Sequence, residues 1–388
     1  MRREDQIAEA RQLLDHLQNR TTALADSIYR NPVSDYTCPQ QAARERELFF
    51  RNGAINIGLS ALLPKPGDWM THDYTGVPML FVRRQDGSLG AFLNACRHRG
   101  ARVAEGRGSG DRDFRCPYHG WCYGLDGSLI ARPSEPFFAG ADRATHGLKP
   151  LPVAEKYGMI WAAANPDTHF GVDELLGGLD VDLAAYNLDT YHHYETRVLR
   201  RKMNWKLAVD TFGETYHLQH LHPNTVDPLF YSNRCTFKPF GPNHRMVAAR
   251  KTMNDLRAIP EQDWDVFDNT VVICVLFPNT VFTFQRDHVE TWHMFPGDNV
   301  DETVMYVSLY IPEPVDNPKA KEHWDRNFDL LMATVECEDF PTCEGMQRGF
   351  YSGAQDSIVF GRNEPALQHY HRSVAAAVNP ARPQMAAE

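Results

Sequence analysis

The chain has 388 residues, of which 43% are hydrophobic, so it can bury a sizeable core in two or three domains. Its 40 basic and 50 acidic residues give a formal net charge of −10, which disfavours nucleic acid as a partner. Eight cysteines in a chain of this length are typical of a reducing compartment and not of a disulfide scaffold.

The N-terminal segment, residues 1–46, is predicted to be helical. No signal-peptide pattern opens it, and apolar residues at helical spacing predict an amphipathic helix over residues 4–19. A second short helix is predicted over residues 40–50. We expect the segment to pack on the C-terminal domain or to contact a partner subunit, and we assign it no site residues.

A β-module is predicted over residues 47–165, because short strands alternate there with turn signals. Two hairpins, Phe81–Leu93 and Cys122–Ile130, flank two loops in which cysteine and histidine recur. Ligands on loops beside hairpins have a rigid base and lie near solvent. This combination suits an electron-transfer centre.

Each of the two loops offers one thiolate and one imidazole: Cys96 and His98 in the first, Cys116 and His119 in the second. Two thiolates can hold one iron of a [2Fe-2S] cluster while two imidazoles hold its neighbour, which raises the reduction potential. A zinc site uses the same atoms, but it usually pairs cysteine with cysteine and histidine with histidine. The spacing therefore favours one [2Fe-2S] cluster over zinc.

Residues 166–388 are predicted to form a mixed domain, which makes the fold class α+β. Four apolar segments predict an antiparallel sheet covered by helices. They are Val271–Phe277, Val281–Phe284, Glu290–Phe295 and Thr303–Ile311. The longest of them is ended by Pro278 and is too short to span a membrane, so we expect a cytoplasmic protein without membrane contact. The tail from Ala375 to Glu388 is expected to be loose.

A stretch rich in carboxylates and histidines follows the β-module. On one continuous helix, Asp210, Glu214 and His217 would share a face and form a polar line. His217 and His222 are five residues apart, so both reach one metal only if the helix ends or distorts between them. Spacing alone favours His217 with His220, three residues apart.

Together the two motifs resemble a known family. The pattern C-x-H-x17-C-P-Y-H-G-W is similar to the Rieske [2Fe-2S] motif. The later segment is similar to the N-W-K…E/D-x-x-H-x4-H signature in the α subunits of Rieske non-haem iron oxygenases, which include the aromatic-ring-hydroxylating dioxygenases. The resemblance implies an N-terminal Rieske domain followed by a helix-grip catalytic domain, and it covers nearly all of the chain beyond the N-terminal segment.

The resemblance implies the ligands of a mononuclear Fe(II). These are His217, His222 and, from the segment similar to E-D-x4-E-x-x-Q, Asp339. Two histidines and one carboxylate leave iron positions open for dioxygen and substrate. Glu338 and Asp356 remain rival ligands, although the helix dipole alone accounts for an acidic residue such as Glu338.

Two further roles follow from the resemblance. Glu214 matches the carboxylate that bridges to a cluster histidine of the adjacent subunit, which would be His119 in this chain. Asn204 matches an asparagine near the iron, and a turn or helix-cap role is the equal alternative.

The function implied is that of the terminal oxygenase in a multicomponent system. Electrons from NAD(P)H would arrive through a flavin and iron–sulfur reductase, with or without a ferredoxin. The expected reaction uses O2 to hydroxylate or dihydroxylate an aromatic or related small organic substrate. The alternative is oxidative N- or O-demethylation, for example of a quaternary ammonium or methoxy compound, and a remoter one is a Rieske electron carrier without oxygenase activity. The bridge between subunits implies a homotrimer, which stacking into a hexamer or a β subunit could extend.

A locally basic stretch stands out in this acidic chain. It comprises Arg234, Lys238, Arg245, Arg250 and Lys251. The stretch could orient a carboxylate substrate or receive an acidic electron donor, but a solvated surface is the simpler explanation.

Iron and acid-labile sulfide in anaerobically purified protein check both metal centres together. We expect about three irons and about two sulfides per chain, because the cluster and the mononuclear site add up to this ratio. A ratio of about two to two that added Fe(II) does not raise would favour the electron carrier instead.

Overall fold

The computed structural model describes residues 1–73 and 75–379. The chain divides into two compact units, one made of Met1–Arg44 and Asp173–Glu388 and the other of Glu45–Val172. The sequence placed the corresponding boundaries after residues 46 and 165. In the described ranges, no helix has the length and apolar character needed to cross a membrane.

The N-terminal segment begins with an amphipathic helix and continues in short elements. They are α1 (Arg3–Asn19), β1 (Tyr29–Pro32), α2 (Ser34–Thr37), α3 (Pro39–Glu45) and a π-helical turn at Arg46–Arg51. Ala10, Leu13 and Leu14 are the buried apolar face of α1, as their helical spacing predicted. Arg20 ends the helix in a left-handed conformation, with its backbone N–H on the carbonyl of His16.

The unit Glu45–Val172 is built from short antiparallel strands, so the β prediction is confirmed. Its strands are β2 (Ala54–Leu59), β3 (Trp69–His72), β4 (Met79–Arg83), β5 (Leu89–Leu93), β6 (Arg107–Gly108), β7 (Asp113–Arg115), β8 (Cys122–Gly124), β9 (Leu129–Ala131), β10 (Val153–Lys156) and β11 (Met159–Ala163). They form sheets in the orders β5-β4-β3-β6, β7-β8-β9 and β10-β11-β2.

Both predicted hairpins are present in this unit. β4 pairs with β5, and β8 pairs with β9. In each turn an aspartate accepts a hydrogen bond from the backbone N–H two residues on, at 2.9 Å for both Asp86 and Asp126. The following glycines, Gly87 and Gly127, have φ angles of 84° and 80°, which side-chain-bearing residues rarely adopt.

The C-terminal part of the other unit combines a large sheet with helices. Its elements are α4 (Val172–Leu176), α5 (Asp180–Ala184), β12 (His192–Arg201), α6 (Trp205–Asp210), α7 (Leu218–Leu221), β13 (Phe230–Phe240), β14 (Asn243–Arg250), β15 (Thr270–Leu276), β16 (Thr280–Phe284), β17 (Val289–Pro296), β18 (Thr303–Ile311), α8 (Pro318–Thr334), α9 (Phe340–Phe350), β19 (Ser357–Phe360) and α10 (Pro365–Val378). A π-helical segment, Val335–Asp339, joins α8 to α9.

A seven-stranded antiparallel sheet, in the order β12-β18-β17-β16-β15-β14-β13, forms the core of this unit. The four apolar segments found in the sequence coincide with β15–β18, which confirms that part of the α+β prediction. Helices α1 and α10 contact β13 and β14, whereas α6 contacts β17 and β18. The tail prediction is wrong for Ala375–Val378, since α10 continues to Val378, and residues 380–388 lie outside the described part of the chain.

A buried ion-pair cluster ties α1 and α5 to the sheet. Arg245 on β14 is 1% exposed and pairs with Glu9 of α1 and Asp182 of α5. Burial opposes the charge on Arg245, but the two carboxylates outweigh burial and raise the pKa of its guanidinium. The solvated-surface interpretation of the basic stretch is therefore wrong for Arg245.

The substitution Arg245→Ala should strongly destabilise this unit, because it leaves the carboxylates of Glu9 and Asp182 buried without a counter-charge. We expect a loss of about 3–5 kcal/mol in the free energy of unfolding, measured by urea denaturation. The matched control is Arg11→Ala, which removes an exposed arginine of α1 paired with Glu261 and should leave the midpoint unchanged. Equal midpoints for the two variants would contradict the structural role of the cluster.

Candidate functional site

The four predicted cluster ligands lie together in the unit Glu45–Val172. Cys96 and Cys116 are buried, and the rings of His98 and His119 have centroids 4.7 Å apart. The Nδ1 atoms of both histidines are buried, and neither has a hydrogen-bond partner within the described ranges. Burying a ring nitrogen costs free energy when it has no hydrogen-bond partner, unless a bound group outside the polypeptide interacts with it. Coordination through Nδ1 would do so, and the donor set fits a [2Fe-2S] cluster.

Each ligand loop is closed by a glycine. The N–H of Gly100 donates to the carbonyl of Cys96 at 2.8 Å, and the N–H of Gly120 donates to that of Cys116 at 3.0 Å. Both glycines have positive φ angles, 81° and 71°, at which a Cβ atom would strain the backbone. The glycines after each cysteine–histidine pair therefore belong to the motif for a steric reason.

Two aromatic side chains hold this site, and the sequence analysis did not assign either of them. The hydroxyl of Tyr123 lies 3.2 Å from the sulfur of Cys96 and accepts the N–H of Arg97 at 2.9 Å. Trp121 stacks on the ring of His98, with centroids 5.0 Å apart and planes 6° from parallel. A hydrogen bond to a ligand sulfur is one means by which a protein sets a cluster's reduction potential. Trp121 and Tyr123 are two residues apart and pack in the same core cluster, and this spacing was the available signal.

A second group of candidate ligands converges in the other unit. His217 directly precedes the one-turn helix α7 and His222 directly follows it, and their ring centroids are 5.1 Å apart. Helix α7 thus ends between His217 and His222, as the spacing of the two histidines required. The predicted polar line along one helix face is wrong, because α6 ends at Asp210 and the residues before His217 are not helical.

Asp339 completes a compact set of three donors. Its Oδ1 lies 3.2 Å from Nε2 of His222 and 3.7 Å from Nε2 of His217. One ligand atom from each of the three side chains lies within 4.8 Å of the others. Two imidazoles and one carboxylate in such a group fit a divalent iron that keeps further positions open.

Two more carboxylates orient the histidine rings. Glu214 binds Nδ1 of His217 and also accepts its backbone N–H at 3.1 Å. Glu338 lies 2.5 Å from Nδ1 of His222 and accepts the hydroxyl of Thr225 at 2.7 Å. When each Nδ1–H donates to a carboxylate, each Nε2 lone pair is left for a metal ion. Glu338, weighed from the sequence as a rival ligand or a helix-dipole residue, thus contacts the outer nitrogen of a candidate ligand.

The π-helical segment explains how two consecutive residues reach the same ring. On a regular helix Glu338 and Asp339 would project about 100° apart. The wider π turn at Val335–Asp339 places Glu338 at Nδ1 of His222 and Asp339 at Nε2. Single π turns inside helices frequently occur at functional sites. The helix propensities of these residues did not predict this one.

The structure separates the remaining candidates from this group. His220 is exposed and bonds to Gln219 at 2.9 Å, so the pairing of His217 with His220 favoured by spacing is wrong. Asp356, the other rival ligand, is exposed before β19. Asn204 is the N-cap of α6, where its side chain accepts the N–H of Lys206 at 3.0 Å and donates to the carbonyl of Val300 at 2.9 Å. These contacts give Asn204 the helix-cap role that was the equal alternative, and its catalytic role stays a prediction.

A cavity of about 440 Å³ adjoins the three donors. Part of its wall is apolar and includes Phe212, Leu218 and Ile273. Other lining side chains are charged, and they include Arg250 and Glu290. A small molecule with both apolar and charged parts fits such a lining.

Two family models match the chain. Residues 55–142 match the Rieske [2Fe-2S] domain, and residues 188–379 match the ring hydroxylating alpha subunit (catalytic domain).

Curated relatives are similar over much or part of the chain. The carnitine monooxygenase oxygenase subunit of Escherichia coli K12 is 30% identical over 363 residues, covering 89% of this chain and 92% of that protein. The glycine betaine monooxygenase oxygenase subunit of Chromohalobacter salexigens is 30% identical over 226 residues, covering 57% of this chain. That match spans about half of the relative, 49% of its length.

Solved structures share the fold. The quaternary ammonium Rieske monooxygenase CntA in complex with L-carnitine is similar with a TM-score of 0.77 at 21% identity, over 92% of this chain and 97% of that chain. Naphthalene 1,2-dioxygenase from a Rhodococcus species, bound to indole, has a TM-score of 0.72 at 17% identity, over 96% of this chain and 98% of that chain. At these identities the likeness concerns the fold alone.

The substitution Asp339→Ala should remove the mononuclear iron and leave the visible absorption of the cluster unchanged, because it deletes one of the three predicted protein donors. Iron and sulfide analysis measures the loss.

Glu338→Gln should keep the three donors but weaken iron binding by roughly 10- to 100-fold through the altered contact with His222. The control is Glu336→Gln, a nearby carboxylate paired with Arg201. Equal iron contents in Asp339→Ala and the parent protein would move the ligand elsewhere.

Proposed function

Because this chain belongs to the Rieske non-haem iron oxygenases as an α subunit, we propose that it is the terminal monooxygenase for a small quaternary ammonium compound. The family combines a [2Fe-2S] cluster with a mononuclear iron and works with oxygen, a small substrate and a reductase. The substrate class and the roles of individual residues are our proposal.

We assign the cluster to Cys96, His98, Cys116 and His119, and the mononuclear iron to His217, His222 and Asp339. When bound, these groups supply electron transfer and the activation of dioxygen. Within the protein, Glu214 and Glu338 keep the two histidine rings oriented. The surrounding cavity holds the substrate and limits the access of water.

The charge at the donor group carries the proposal. Three carboxylates, those of Glu214, Glu338 and Asp339, surround the two histidines. They outnumber the two positive charges of an Fe(II) ion, so the region remains negative when iron is bound. Glu214 and Asp339 also line the cavity, which places this negative charge beside the substrate. A cationic ammonium group is favoured there, and the ring of Phe212 in the same wall adds a cation–π surface.

The chemistry that follows is hydroxylation of a carbon bonded to the ammonium nitrogen. One C–H bond becomes C–OH, while O2, two electrons and two protons yield the inserted oxygen and one water. The product loses its hydroxyl proton as the C–N bond breaks, which releases an amine and an aldehyde. Relatives named for carnitine, glycine betaine and choline support a substrate of this class.

Aromatic ring hydroxylation, the first expectation from the sequence, remains the second candidate. The apolar wall at Leu218, Val271 and Ile273 favours it, because a planar hydrocarbon could pack there. Charged liners such as Arg250 and Glu290 favour the quaternary ammonium compound, since a hydrocarbon would desolvate them without replacing any interaction.

We further propose that Glu214 connects the iron to the cluster of an adjacent subunit in a homotrimer. Its carboxylate already contacts His217, so a hydrogen bond from His119 of the adjacent subunit would complete a short path. This arrangement gives the carboxylate two tasks, orienting a ligand and joining two redox centres.

Turnover with a reductase, NAD(P)H and a panel of quaternary ammonium compounds tests the function. We expect an amine and an aldehyde in equal amounts for each O2 consumed, measured by mass spectrometry and oxygen uptake. The Asp339→Ala variant is the control and should form neither product. Phenols or cis-diols from an aromatic panel, with no quaternary ammonium compound oxidised, would instead establish the second candidate.

A further inference from the structure

A half-buried arginine lines the cavity without a carboxylate partner. Arg250 is the last residue of β14. Its Nε donates to the carbonyl of Thr270 at 3.0 Å, and its Nη2 donates to the side-chain oxygen of Gln285 at 2.6 Å. Both partners are neutral, and Arg250 forms no ion pair with any residue in the described ranges.

Three arginines that are more deeply buried than Arg250 differ from it in this respect. Arg83, Arg132 and Arg245 are each bound to at least one carboxylate. A buried charge is costly unless an opposite charge or hydrogen bonds compensate it. The charges of Glu290, Asp268 and Asp287 act on Arg250 from a distance, but no carboxylate in the described ranges forms an ion pair with its guanidinium.

The other charged groups nearby are already engaged. His288 lies 2.8 Å from Asp287 and 3.1 Å from Glu290, and these carboxylates outweigh the effect of burial and raise its pKa to about 9. Arg286 is exposed and donates to the carbonyl of Asp268 at 2.9 Å. Burial, followed by the charge of Arg286, lowers the pKa of Arg250 to about 10, so its guanidinium stays protonated near neutral pH.

The guanidinium of Arg250 is also held in place. Its carbon lies 4.5 Å from the centre of the Phe230 ring, and the bonds to Thr270 and Gln285 fix its plane. Nη1 donates to no residue in the described part of the chain and is left for another acceptor. A fixed guanidinium binds a carboxylate with little further loss of conformational entropy.

We propose that Arg250 binds a carboxylate of the substrate, so that the enzyme selects zwitterionic ammonium compounds over ammonium alcohols. The inference rests on the proposed function for the cationic end, whereas the carboxylate site depends on Arg250 alone. The carboxylate lies on Arg250, and the ammonium end extends through the same cavity toward the carboxylate-rich donor group. The solvated-surface interpretation of the basic stretch is then wrong for Arg250 as well.

Calorimetric binding of matched ligand pairs tests the proposal without turnover. One pair is glycine betaine and its carboxamide, and the other is benzoate and benzamide. The parent protein should bind each carboxylate more tightly than its amide. Arg250→Gln should weaken carboxylate binding by roughly 10- to 100-fold and leave amide binding unchanged. Arg250→Lys should recover part of the loss, because it restores the charge but not the planar fork.

The matched control is Arg362→Gln, which removes the same charge from an exposed arginine that is absent from the cavity lining and should change binding little. Cluster absorption and thermal midpoint verify that each variant is folded. Should Arg250→Gln misfold, Arg250→Lys and the amide pairs of the parent protein carry the test.

The outcomes separate this inference from the proposed function. Binding of benzoate that depends on Arg250, without turnover of any ammonium compound, would retain the carboxylate site and reject the quaternary ammonium substrate. Oxidation of glycine betaine with the same KM in Arg250→Gln as in the parent protein would retain the function and overturn the role of Arg250. Equal affinities of the parent protein for carboxylates and amides would overturn it as well.

Discussion

The C-terminal site depends on the hydrogen bonds between carboxylates and the outer nitrogens of two histidines. An imidazole offers its lone pair in only one direction once its other nitrogen is committed as a donor. Glu214 commits His217 in this way, and Glu338 commits His222. Helix α7 spaces the two histidines, and the π turn carries Glu338. The orientation of the donor group is thus determined before a metal ion arrives.

The features best predicted from the sequence were those in which local spacing and chemistry coincide. The cluster loops required only the positions of two cysteines, two histidines and two glycines along the chain. Strands β15–β18 were found because both of their faces are buried, so most of their residues are apolar. In both cases neighbours in sequence determine the outcome, and a pattern over short distances is sufficient.

The features not predicted depend on contacts between distant segments. Glu338 could not be connected with His222 from the sequence, because 116 residues separate them and a π turn sets the direction of the side chain. Arg250 and Arg245 belong to the same basic stretch and the same strand, yet one reaches the cavity and the other the contact with α1 and α5. Side chains alternate between the two faces of β14, so Arg245 and Arg250, five residues apart, point to opposite faces. Only the assembled sheet shows which face borders the cavity.

The division of the chain into units has a consequence for biosynthesis. The unit that contains His217 and His222 is interrupted in sequence by the β-unit, Glu45–Val172. Its strand β1 pairs with β19, so Tyr29 lies opposite Phe360. The complete β-unit therefore emerges from the ribosome long before β19, the partner of β1, has been translated. During that interval the apolar face of α1 has no sheet to cover it. The order of segments along the chain therefore requires that this exposed nascent segment be protected, either by its own helical structure or by a chaperone.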